Sequence, residues 1–179
     1  FMEDWCRYEF NEEKKQWGRK TNPNKKWDWW VVGGRWSNQL VNKLTGEKCD
    51  SVLLKDLDIE AIEAPRKESA ARKWEEWHSE IKLLPKEDKE RTKWLFANIG
   101  FFGKTEIERL DTMSKDEYIA CNSAFAPYAL VWDGKWYAKG EMGWFAISTE
   151  EENDWSSQFK MLLDQIPENE PVTMVDCHI

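Results

Sequence analysis

The chain has 179 residues, with 34 acidic side chains against 26 basic and a net charge of −8. That length suffices for one domain with a sizeable core, and the acidic balance excludes a general binder of long duplex nucleic acid, which draws on a positive footprint. No run of about 18 apolar residues and no charged-then-apolar leading segment occurs, so neither a membrane span nor secretion is indicated and a cytoplasmic location is expected. Cys6, Cys49, Cys121 and Cys177 lie far apart without CxxC spacing, which predicts free thiols rather than a zinc ribbon or redox pair. The opening Phe1-Met2 is not a natural start and points to a leading scar or missing leading residues.

Charge and aromatic character concentrate near the N-terminus. Residues 14–36 carry Lys14, Lys15, Arg19, Lys20, Lys25, Lys26 and Arg35 against Asp28 alone. Within them Trp27, Trp29, Trp30 and Trp36 cluster around Gly33-Gly34, although the chain's 13 tryptophans reach as far as Trp155 and some must be core. Trp and Val favour a pleated surface and paired glycines permit positive φ, so residues 26–36 read as a strand ending in a tight bend from which Arg35 emerges. Flat indoles beside fixed positive charge suit a planar anionic ligand.

Thr45-Gly46 reads as a turn, and Ser51–Ile59 as a short strand placing Asp56 and Asp58 on one side. Side-by-side carboxylates suit a metal or acid–base chemistry, but a solvated strand face is the plainer reading. After Pro65 the spacing of Ala70, Trp74, Trp77, Ile81 and Leu84 predicts a helix over 66–84 with one buried stripe, stopped by Pro85. A charged helix is predicted over 86–99, closed by Gly100, and a third after Ser114, where Ser114 and Glu117 form a capping box. Residues 60–125 thus read as a helical insertion or layer within a single domain, 1–179.

Tyr128–Trp132 and Lys135–Ala138, joined by Asp133-Gly134, predict a β-hairpin. A bend at Gly140-Glu141-Met142-Gly143 leads to a strand at Trp144–Ile147. Thr149-Glu150-Glu151-Glu152 reads as a capping box opening a helix whose apolar face is Trp155, Phe159, Leu162, Leu163 and Ile166, stopped by Pro167. Val172–Ile179 reads as an apolar strand entering the sheet interior. The order hairpin, strand, helix, strand predicts an α+β fold with a mainly antiparallel sheet.

Taken as a set, Asn22-Pro23-Asn24, Lys26-Trp27-Asp28-Trp29, Gly33-Gly34-Arg35-Trp36, Lys55-Asp56-Leu57-Asp58, Asp133-Gly134-Lys135-Trp136, Gly140-Glu141-Met142-Gly143-Trp144-Phe145 and Val175-Asp176-Cys177-His178-Ile179 resemble an uncharacterised protein family of bacteriophages, prophages and bacterial genomes. The resemblance spans most of the chain and implies a phage or mobile-element setting inside a bacterial host cell, without implying an activity. Where the family pattern has Gly after Trp-Phe, this chain has Ala146.

No P-loop, GxGxxG, HExxH or GxSxG pattern occurs. His78 and His178 are the two histidines, and alternation along a strand places Asp176 and His178 on one face, where the pair could orient an imidazole, bind a metal, or close the sheet with a buried hydrogen bond. Glu141 is expected near Arg35, either as a turn carboxylate paired with it or as an acceptor for a base or ribose. Three functions follow. The first is a non-enzymatic binder of a small nucleotide-like anion, a counter-defence sponge, using Lys25, Lys26, Trp27, Trp29, Trp30, Arg35 and Trp36 with Glu141, Trp144 and His178; no cofactor or metal is assigned. The second is a protein module blocking a host factor through aromatic anchors. The third is a nucleotide-acting enzyme using Asp176, His178 and Glu141.

Overall fold

Asp133 and Gly134, with φ of 49° and 68°, set the tight turn between strands β7 (Ala129–Trp132) and β8 (Lys135–Ala138), as the Asp-Gly pair predicts. They belong to a computed structural model that describes residues 9–13, 15–18, 29–99, 104–142, 148–149 and 154–178. Along the chain, β1 (Glu9–Asn11) pairs with β2 (Gln16–Gly18); β3 (Trp29–Val32) precedes a one-turn 3-10 segment, Gly34–Trp36; β4 (Leu40–Val41) pairs with β5 (Lys48–Cys49); and β6 is Ser51–Leu53. Helices α1 (Ile59–Ser79), α2 (Lys89–Asn98), α3 (Lys104–Thr112) and α4 (Lys115–Ser123) follow, then β7 and β8, β9 (Glu141–Met142), β10 (Ser148–Thr149), α5 (Trp155–Leu163), β11 (Pro171–Thr173) and β12 (Val175–His178). The fold is α+β, and every ladder among the described residues is antiparallel.

Apolar spacing sorts the chain into two core clusters. In the first, the α5 face Trp155, Phe159 and Leu163, continued by Ile166, packs with Leu40, Val52, Leu57, Ile62 and Phe125. The Trp155 indole N–H donates to the Pro127 carbonyl at 2.8 Å, satisfying its polar edge inside the core. The second joins the predicted stripe, Ala70, Trp77 and Ile81 with Trp74 and Leu84 packed against it, to Leu110 of α3 and Tyr118 of α4. Trp77 is 1% exposed and donates to Asp111. Helix α1 enters both clusters, through Ile62 near its start and through Ala70 and Trp77 further on. Ser114 and Glu117 close the expected capping box of α4.

Several local expectations are corrected. Helix α1 begins before Pro65, because the Asp58 side chain accepts from the Ala61 N–H and caps it, and Pro65 lies inside the helix. Asp56 accordingly sits in a 3-10 turn and Asp58 on a helix cap, not side by side on a strand; β6 stops at Leu53. Helix α2 starts at Lys89 on an Asp88 cap, and Gly100 lies outside the described residues. The bend falls on Lys139-Gly140, Gly143 lies outside the described residues, and Glu141-Met142 form β9, laddered to Ser148-Thr149. Thr149 is therefore in a strand, and α5 begins at Trp155, with Glu150–Asn153 and the strand expected at Trp144–Ile147 outside the described residues. The C-terminal segment breaks at Met174 into β11, paired with β6, and β12, paired with β3, instead of one interior strand.

Candidate functional site: an exposed tryptophan ribbon on a buried aspartate

Strand β12 returns along β3 with Asp176 opposite Val31, Cys177 opposite Trp30 and His178 opposite Trp29. Alternation sends successive β3 side chains to opposite faces, yet all four are exposed, Trp29 at 50% and Trp30 at 57%. Trp36, just past the bend, is 52% exposed. Strand β3 therefore presents apolar side chains to water on both of its faces, while Asp176, opposite Val31 on β12, is buried. Three large aromatic rings half-exposed within eight residues are the kind of apolar exposure from which contact sites are built.

The ribbon is held rigidly at its turn. The Gly33 N–H donates to the Met174 carbonyl at 2.9 Å, and the Met174 N–H donates to the Asp50 carbonyl at 2.8 Å. The Asp50 carboxylate accepts from the Asn38 N–H at 2.5 Å, so one residue ties both ends of the bend. Gly34, at φ +58°, lets the chain fold onto β12: a Cβ there would lie 2.6 Å from the Asp176 Cβ and 2.7 Å from its Oδ2. This close approach delivers Arg35 to Asp176. The Arg35 backbone N–H and Nε donate to Oδ2, both at 2.9 Å, and Nη2 donates to Oδ1 at 2.6 Å. Asp176 is 2% exposed, a buried charge that the guanidinium and the backbone jointly satisfy. Hydrogen bonding to Asp176, and then its charge, push the Arg35 pKa up. Burial first, and then the Asp176 charge, push the neighbouring Cys177 thiol up. Cys49, Cys121 and Cys177 are free thiols; Cys6 lies outside the described residues.

The sequence-predicted site residues divide accordingly. Trp29, Trp30, Arg35 and Trp36 come together on the ribbon and its bend. Lys25, Lys26, Trp27 and Trp144 lie outside the described residues, and of His178 only the backbone, opposite Trp29, is described. The partner given to Arg35 is Asp176, not Glu141, which sits on β9. The reason is topological: β12 lies beside β3 and carries a carboxylate under the bend. Asp176 in turn is engaged by Arg35, a role absent from the reading that paired it with His178. His78 stacks on Trp74 with ring centroids 3.9 Å apart, inside the helical layer.

Sequence reasoning missed Asp50, a lone acid after Cys49 whose only signal is its place just before a strand. It also missed an open-sided cavity of about 330 Å³ between α1 and α4, lined by Arg66, Ser69 and Lys73 on one helix and Tyr118 and Asn122 on the other. Reading the 66–84 helix for its apolar stripe alone passed over the polar residues flanking Ala70. No helix among the described residues is long and apolar enough to cross a membrane. No family model, no curated protein and no solved structure matches the chain.

Proposed function

We propose that the chain acts by binding, with the ribbon Trp29, Trp30, Val31 and Val32 and the adjoining Trp36 as its recognition surface, and that the occupant is a protein. The observation that carries this reading is the exposure of tryptophan on both faces of one short strand. A stacked small molecule covers one face, whereas a protein surface can enclose an aromatic edge from both sides and bury the area that binding hot spots need. The Arg35–Asp176 fork supports it further by fixing the bend, which lowers the ordering cost of association. With the phage-like sequence motifs, the partner class is a host factor that the chain inhibits by occupancy. The test is recovery of the tagged chain from bacterial host cells. A stoichiometric protein retained by wild type and by Phe96→Ser, which removes an exposed aromatic on α2 away from the ribbon, and lost with Trp30→Ser, is expected; equal retention by Trp30→Ser refutes the assignment.

The basic run from Lys14 to Arg35 in a chain of net charge −8 favours a second reading, a nucleotide-like anion held at the same surface. A thermal shift with cyclic di- or trinucleotides or ADP-ribose derivatives, abolished by Trp30→Ser, supports it. The absence of any shift refutes it.

A further inference from the structure

The cavity between α1 and α4 has a chemistry at odds with the rest of the molecule. Its lining includes Arg66 and Lys73 and no carboxylate, in a chain carrying a net −8. Helix α4 runs antiparallel to α1, since Lys115 at its start reaches Glu75 and the Ala124 carbonyl at its end reaches Arg66. Arg66, Ser69 and Lys73 lie on one face of α1, with the cations two turns, about 10 Å, apart along the axis and the hydroxyl between them. Asn122 lines the space from α4, with one amide hydrogen given to the Tyr118 carbonyl at 2.9 Å and the other left for a ligand. Neither cation has a close ion pair, although the Arg66 guanidinium also lies 5.8 Å from the Phe125 ring centroid and near Glu63. The Arg66 Nη1 donates to the Ala124 carbonyl at 3.4 Å, the long limit of a hydrogen bond, and Lys73 Nζ is 3.8 Å from Glu106. The strong partner of Glu106 is the Tyr118 hydroxyl, donating at 2.6 Å, and Glu106 is not among the residues that line the cavity.

We infer that this cavity is a binding site for a small organic phosphate, separate from the tryptophan ribbon. A tetrahedral phosphate offers three or more acceptor oxygens, matching a guanidinium, an ammonium, a hydroxyl and an amide arranged around one space; a carboxylate offers two. Pro65, Ala70 and Tyr118 supply an apolar wall for the organic body, and the volume exceeds what phosphate alone fills. The absence of a close ion pair lets Arg66 and Lys73 turn to the ligand without leaving a buried charge unpaired.

The experiment is an amide NMR titration of the full chain with adenosine 5′-monophosphate, inorganic phosphate and adenosine. Adenosine 5′-monophosphate is expected to shift the amides of 66–73 and 118–122, inorganic phosphate to shift the same set more weakly, and adenosine to leave them in place. Arg66→Gln and Lys73→Gln should each weaken binding about tenfold or more, while Lys67→Gln, whose lysine pairs with Glu63, changes it less than twofold. If Lys73→Gln unfolds by releasing Glu106, the near-isosteric Asn122→Asp places a negative charge on the cavity instead and should abolish binding. No shift at millimolar ligand, shifts confined to 29–36, or affinity unchanged in Arg66→Gln and Asn122→Asp overturns the site.

Discussion

Replacing Gly34 by alanine probes the geometry on which the ribbon depends. At φ +58° an L-residue adopts a left-handed conformation that costs about 1–2 kcal/mol. The added methyl also meets Asp176 at 2.6 Å and Val31 at 2.9 Å, and Asp176 is a buried side chain with little room to retreat. Overpacking of this kind adds about 1–3 kcal/mol, while the smaller unfolded-state entropy returns about 0.4–1 kcal/mol. The expected net loss is about 2–4 kcal/mol, a fall of about 1–2 M in the urea midpoint for a slope near 2 kcal/mol/M. Gly46 is the internal control: its φ is +72° but nothing lies within 4 Å of an added Cβ. Gly46→Ala should therefore lose only the backbone strain net of entropy, about 1 kcal/mol or less. The assay is urea unfolding of both variants followed by circular dichroism. Equal midpoints for Gly34→Ala and Gly46→Ala would show that the bend does not press on Asp176 and would refute the account of the turn.

Other expectations concern single side chains. Trp77→Ala empties a site in the second core cluster and should cost about 3–5 kcal/mol in thermal or urea unfolding, whereas Trp30→Ala, on an exposed strand, should stay within about 1 kcal/mol. The Lys82 ammonium, and then the Trp77 indole N–H, hold Asp111 below the usual carboxylate range in spite of partial burial. A carboxylate depressed on folding contributes stability above its unfolded value, near 3.8, that is lost as pH falls through the folded value. Acid unfolding of Asp111→Asn should therefore show a shallower loss of stability below pH 4 than wild type. Cys177, kept protonated by burial and the Asp176 charge, should label with iodoacetamide at pH 7.5 more slowly than exposed Cys121, read by peptide mass spectrometry; the reverse order contradicts the description of β12.

Much of the fold is written locally. Asp133-Gly134 specifies a turn whose positive φ angles few other pairs accept, the Ser114 and Glu117 pair caps α4, and the Ala70-to-Leu84 stripe forms one wall of a core. Where sequence reasoning erred, two local rules competed. Pro65 reads as a helix start because it lacks an N–H, but the Asp58 cap initiates α1 upstream and the helix runs through the proline. Asp56 and Asp58 mimic strand alternation over a span too short to separate period two from a 3-10 turn followed by a cap. The candidate site was half legible. Trp29, Trp30, Arg35 and Trp36 announce themselves by density, but the Arg35–Asp176 fork joins residues 141 positions apart, and no local pattern carries that pairing. The α1–α4 cavity was hidden for a similar reason: Arg66 and Lys73 gain meaning only when Asn122 and Tyr118 are brought opposite them.

The claim that the exposed ribbon recognises a protein is tested most directly by native mass spectrometry of the chain isolated from bacterial host cells, compared with its denatured mass. A protein-binding ribbon gives a complex with one additional polypeptide for wild type and a bare chain for Trp30→Ser. A retained small molecule with no added polypeptide, or a polypeptide held equally by Trp30→Ser, would contradict it.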